Sequence, residues 1–345
     1  MARRRKRRAP AKTALFYKNN YSNDTFNTLI KSDASLLYLY SRFPDEWKQK
    51  LEDFMTGKKT LPMLYDATFK FIFDPSKNKE RLADLISSII GEEVEIVEVI
   101  PNESFFIEGK TLIIMDILVR LADGSIADVE IQKNPYDFSG ERLACYTSDL
   151  ILRQYSRLKS KYGKNFKYKD MRKVYSIVIY ERTNEQFHEY PEVFLHSGKP
   201  YFKYELGMDL IQEYHIIALD IFKEFTYHKI YEDAENKKND RLVGWLAFLV
   251  TESMDEAKKL VKIYPWLEEI YHEIAYYRNN IGGVIDMYSQ MIAELDYNSI
   301  NFIVDEQKAQ IEAQKKLLDE KDAQLDEKDA QLDELRKIIE ELRSK

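Results

Sequence analysis

The chain has 345 residues, 44% of them hydrophobic, and a net charge of −7, which allows a sizeable buried core and about two domains. Its one cysteine excludes an internal disulfide and points to a reducing, cytoplasmic setting, and no Cys/His cluster has zinc spacing. No apolar run reaches the roughly 18 residues of a membrane span, no apolar stretch follows the basic start as a secretory signal requires, and neither a P-loop nor a dinucleotide glycine fingerprint is present.

Residues 1–24 read as a disordered basic arm. Arg3, Arg4, Arg5, Lys6, Arg7, Arg8 and Lys12 give it +7 against −7 overall, which leaves −14 for the rest. A mobile polycation can neutralise phosphates and release counterions, although a solvated tail with no role is the plainer alternative. Residues 25–60 form a helical extension, with two weakly amphipathic stretches around 29–40 and 44–55. A core is expected from 61 to 225. It opens on a helix in TLPMLYDATFKFIF, which carries Asp66 and Lys70 and is broken by Pro75. Residues 78–90 give a second helix, ended by Gly91, and VEIVEVIPN a short strand.

Residues 111–133, TLIIMDILVRLADGSIADVEIQK, hold two apolar, β-branched runs around Ala122-Asp123-Gly124-Ser125, the pattern of a hairpin. Asp116 stands alone in its apolar run. Burying a lone carboxylate there costs several kcal/mol unless something compensates it. On the returning strand Asp128, Glu130 and Gln132 share one face. A two-residue loop would place Asp116 opposite Ile131, on the wrong side from Glu130. An odd loop or a bulge would pair Asp116 with Gln132 and set Glu130 one diagonal step away. Asp-Gly before serine allows such a loop, with glycine left-handed. Several acidic groups converging there suggest a divalent cation.

A long helix follows over 139–162, then apolar strands at 173–181 and 213–220. Strands separated by such a helix suggest a crossover unit in a mixed sheet. Residues 226–300 read as all-α. From 305 to 345, LDEKDAQ repeats in tandem and Ile311, Leu318, Leu325, Leu332 and Ile339 recur every seven residues. The companion heptad position is polar until Leu335 and Leu342, so a weak dimerising coiled coil competes with a solvated single helix laced by charge pairs. The five histidines share no spacing and read as structural, as do most tyrosines of 162–175.

Asp116, then fourteen residues later Glu130-x-Gln132, resembles the PD-(D/E)XK nuclease signature, in which the last lysine is sometimes glutamine. DATFKFIF, NKERLADLISSIIG, the hairpin, ERLACYTSDLILRQY and KVYSIVIYE, in that order, resemble the Rpn family of recombination-promoting nucleases and PD-(D/E)XK nuclease family transposases over roughly 61–255. The resemblance implies an α/β core with a mixed central sheet flanked by helices, and Mg²⁺-dependent cleavage of double-stranded DNA, with Mn²⁺ able to substitute. It implies Asp116 and Glu130 as metal ligands, completed by the backbone carbonyl of Ile131, with Gln132 in the place of the lysine. Asp66 is the candidate for an additional acidic residue, with Glu80 its rival. Arg142 and Tyr146, one turn apart on the long helix, face the sheet in that pattern and either contact phosphate or pack. Lys133 points to the other face and is a poor substitute for the missing lysine. Asp128 is expected at the surface or behind the ligands. A homodimer through the coiled coil would offer two sites for two strands. The competing reading is a catalytically weak or inactive nuclease fold that holds DNA or a partner.

Overall fold

The computed structural model describes residues 20–100, 117–133, 139–204, 206–232 and 239–295, and positions 314, 315, 321 and 328. Residues up to Glu294 form one compact unit and Leu295–Lys345 a second. The basic arm, Asp116 and almost all of the heptad repeats lie outside the described residues.

Three helices come first: α1 Asn23–Ser32, α2 Ala34–Ser41 and α3 Asp45–Met55. The stretch read as one helical piece at 29–40 is divided at Asp33. That residue is extended, and its carboxylate accepts the N–H groups of Ser35 and Leu36 to start α2. α4 Asp66–Phe73 and α5 Lys79–Ile90 follow, the latter capped by Asn78 and ended by left-handed Gly91 at φ 77°.

The sheet has six strands: β1 Ile96–Val99, β2 Ile117–Leu121, β3 Ile126–Gln132, β4 Val174–Tyr180, β5 Leu195–Gly198 and β6 Gln212–Ala218. Their order is β1-β2-β3-β4-β6-β5. β3, β4 and β6 run parallel, and the remaining pairs are antiparallel, so the sheet is mixed. Between β3 and β4 runs α6, Gly140–Tyr162, the expected crossover helix, with Ser139 as its cap. Its Leu143, Tyr146 and Leu150 pack on Leu118, Ile126, Val174, Val178 and Tyr180. Thr147 Oγ1 meets Ser176 Oγ at 3.0 Å, and the Gln154 side chain holds both the N–H and the C=O of Arg172, just before β4. β4 is buried along its whole length, as a central parallel strand must be.

The hairpin loop is odd, as expected, but sits one residue earlier than the assumed pairing needs. The loop is Ala122-Asp123-Gly124, closed by Leu121 and Ser125, with Gly124 at φ 91°. A three-residue hairpin loop wants its left-handed residue last, and here only glycine meets that demand without strain. Pairing Asp116 with Gln132 would put Ile117 opposite Ile131. Instead Ile117 faces Val129 and Leu118 faces Asp128. The slide is by two residues, so side-chain parity is preserved.

The C-terminal helices α7 Arg241–Val250, α8 Met254–Ile263 and α9 Glu268–Tyr277, with helical residues 281–295, return to the first three. Trp47 meets Tyr288 edge-on at 5.9 Å, and Arg278 Nε donates to Phe54 O at 2.7 Å. No helix among the described residues is long and apolar enough to cross a membrane.

Candidate active site

β3 carries Asp128, Glu130 and Gln132 on the face that α6 covers, beside Ser176, Val178 and Tyr180 of β4. Asp128 is 1% exposed and Glu130 2%, while Gln132 at the strand end is half-buried. Asp128 is therefore not a surface residue. Two carboxylates two positions apart on a strand lie about 7 Å from each other. Burial in such a layer needs compensation by cations or donors.

α6 brings Arg142 and Tyr146 to this place. Arg142 donates from Nε and Nη2 to the Tyr146 hydroxyl at 3.1 and 2.7 Å. Burial pushes the Tyr146 phenol up, Arg142 pulls it down, and the charges of Glu130 and Asp128 push it up again. That coupling puts both carboxylates within electrostatic reach of the ring. Tyr146 also belongs to the core beneath α6, so it packs and faces the carboxylates at once.

On the opposite face of β3, Lys133 is half-buried against the Tyr65 ring, its Nζ 3.1 Å from the centroid and 3.1 Å from Glu181 Oε2. Burial lowers its pKa against the pull of Glu181. Lys133 thus points away from Glu130, as its parity predicted. Asp66 is the first residue of α4; its carboxylate accepts Lys70 Nζ at 2.8 Å, and its N–H donates to Glu294 at 3.0 Å. Neither contact joins it to Glu130. Glu80 is exposed in the first turn of α5. Sequence reasoning missed the Tyr65–Lys133–Glu181 group, whose only sign was a tyrosine before Asp66. Beside it, beyond the carboxyl ends of β4 and β6, lies a cavity of about 370 Å³ lined by Thr60, Tyr65, Glu181, Arg182, Asp220 and Lys223, among others. Crevices of parallel sheets form at that end. The histidines serve elsewhere: His188 meets Asp220, and His215 meets Ser197.

A mixed sheet flanked by helices, with buried carboxylates along a hairpin strand, is an α/β domain consistent with the nuclease-like class. The model of the PD-(D/E)XK nuclease family transposase matches residues 63–301, and the chain belongs to that family. Its function is accordingly of nuclease type. The match runs past the segment over which the sequence motifs were recognised, through α7, α8 and α9. Neither the curated proteins nor the solved structures compared with this chain give a match.

Family membership brings a divalent metal into question, and the donor set fits one. The α6-facing side of β3 offers hard oxygen donors, the Glu130 and Asp128 carboxylates and the side-chain carbonyl of Gln132. Mg²⁺ prefers hard oxygen ligands, keeps several waters and needs one or two carboxylates. Among the described residues no three His, Cys, Asp or Glu gather into a ready-made metal cage.

Proposed function

We propose that this protein is a metal-dependent DNA endonuclease that hydrolyses phosphodiester bonds, with Asp116 and Glu130 holding Mg²⁺ and the Ile131 carbonyl completing the set. The observation that carries the reading is the near-complete burial of Glu130 at the end of β3, beside Asp128 and under Arg142–Tyr146. Asp116 precedes Ile117 in the chain, and Glu130 follows Val129, the partner of Ile117. The ion would polarise the scissile phosphate and lower the pKa of a bound water. Glu130 contributes an anionic ligand held rigid by its strand, Gln132 orients water through its amide, and Tyr146 with Arg142 braces the wall. Asp66 enters as a further acidic residue on the α4 side, and Mn²⁺ substitutes for Mg²⁺. A homodimer joined by the heptads of 305–345 would place two sites on double-stranded DNA, and the arginine arm would add phosphate contacts.

A second reading, a nuclease fold that binds DNA or a partner with little catalysis, is favoured by one specific observation. Gln132 carries no charge, and the adjacent Lys133 is committed to Glu181 on the other face. Plasmid cleavage with Mg²⁺ or Mn²⁺ decides between them. Nicking or linearisation by the wild type, abolished by Asp116→Ala and by Glu130→Gln with circular dichroism unchanged, is expected. A folded wild type that cleaves no DNA form with either metal leaves the binding module.

A further inference from the structure

The C-terminal half of α6 and the segment leading to β4 hold the densest run of positive charge among the described residues. Between Arg153 and Lys173 stand nine cations and one acid, Asp170, in a chain whose net charge is −7. Three of the nine are engaged: Arg153 with Asp149, Lys173 with Glu213, and Arg157 half-buried beside Glu98 and Arg120. Asp170 is spent on the backbone N–H of Lys167. The other six, Lys159, Lys161, Lys164, Lys167, Lys169 and Arg172, are exposed and form no ion pair among the described residues.

These cations ride on an ordered base. Tyr155 and Tyr168 stack at 6.0 Å with their planes 13° apart, and Phe166 meets both edge-on. Lys159 Nζ lies 5.5 Å from the Phe166 ring centre. Gln154 fixes Arg172, and Gly163, at φ 55°, turns the chain out of α6. Tyr168 is 75% exposed at the centre of the run, with its hydroxyl available to an acceptor. Six uncompensated cations within residues 159–172 repel one another, so the array is kept at a cost that a polyanion would relieve.

We infer that this surface binds the phosphate backbone of duplex DNA, apart from the carboxylate end of the domain. The inference rests on the nuclease reading only for the identity of the polyanion. Exposed lysines around a packed aromatic base can meet successive phosphates, and counterion release favours the contact. From Tyr146, beside Glu130, to its end at Tyr162 α6 rises about 24 Å at 1.5 Å per residue. On duplex DNA that corresponds to about 7 base pairs at 3.4 Å each. The surface would thus hold the duplex well to one side of the cleaved bond.

The test compares Lys164→Glu/Lys167→Glu/Lys169→Glu with a control of equal charge change, Lys31→Glu/Lys229→Glu/Lys262→Glu, all at exposed positions. Both are made in full-length protein carrying Glu130→Gln, and binding to a labelled duplex of ~30 base pairs is followed by anisotropy against salt. The patch variant is expected to lose at least tenfold in affinity, and the slope of log K on log[salt] to fall by roughly 2 to 3. The control should change little. Equal losses in both variants, or none in the patch variant, overturn the inference. So does a patch variant that loses binding to phosphatidylserine vesicles but keeps its DNA affinity. Cleavage separates the two readings: a wild type that binds DNA through this surface but never cuts retires the nuclease and leaves the surface.

Discussion

On the proposed nuclease reading, Gln132 is the residue on which the chemistry would turn. It ends the only strand face that carries two buried carboxylates among the described residues, and in the proposed match to the nuclease signature it would take the place of the lysine. An amide donates and accepts hydrogen bonds but cannot neutralise charge building on a pentavalent phosphate. Losing one such electrostatic donor typically costs 10²–10³ in rate, about 3–4 kcal/mol. Lys133 cannot step in, because side chains alternate along the strand and its ammonium is bound to Glu181. Gln132→Lys is therefore expected to raise metal-dependent cleavage by about 10²-fold. Initial nicking rates at saturating metal would show it. An unchanged rate in a folded, metal-responsive variant would mean that the charge comes from elsewhere, and Arg142 would be the next residue to remove.

Elements were legible where the signal was local. Asn78 and Gly91 bracket α5, and Ser139 starts α6, because a cap and a left-handed glycine act within one turn. The hairpin's odd loop followed from the demand that Asp116 and Glu130 share a face, since Asp-Gly by itself fits a two-residue loop as well. Its register was not legible, because moving the loop by one residue slides the strands by two and leaves the hydrophobic pattern intact. At the candidate site the face shared by Glu130 and Asp128 followed from parity alone, whereas the Glu181 that holds Lys133 arrives from another strand. β5 escaped notice because Leu195–Gly198 is a short edge strand, fixed by long-range pairing with β6. His215 ties that edge down: its Nδ1 is 2.9 Å from Ser197 Oγ, and the ring is buried. Burial lowers its pKa below 6.5, with nearby Lys173 adding to the effect and Glu213 opposing it. The folded state then takes up a proton less readily than the unfolded chain, so stability is full above the unfolded pKa and falls with pH down to the folded one. Wild type should lose up to about 1.4 kcal/mol per pH unit from this group below pH 6.5, and His215→Asn should not. Urea unfolding of both at pH 7 and pH 5.5 measures the difference. Parallel losses would show that His215 is not the titrating group.

At the scale of the molecule, the helices that precede the family match belong to the same core as those that end it. Lys59 bridges to Ser253, Thr60 N–H donates to Glu252 O, and Trp47, Phe54 and Tyr288 pack ring against ring. Arg278 stands at the centre of that junction. It is fully buried, donates to the Phe54 carbonyl near the end of α3 and to Asn20, and lies over the Phe54 ring at 4.8 Å. Burial pulls its pKa down to about 10, so it is still a cation at neutral pH. A guanidinium at a helix C-terminus is favoured by the helix dipole, which offsets part of the desolvation cost. Arg278→Ala removes these donors and leaves a cavity, at a cost of roughly 3 kcal/mol. For a domain of this size that lowers Tm by about 6 °C. If the N-terminal helices and the family core unfold as one body, far-ultraviolet ellipticity and tryptophan fluorescence will shift together, since Trp47 reports on α3 and Trp245 on α7. An early transition in which ellipticity and fluorescence each change only in part would mean that the N-terminal helices melt separately, and that the family core from residue 63 onward stands without them.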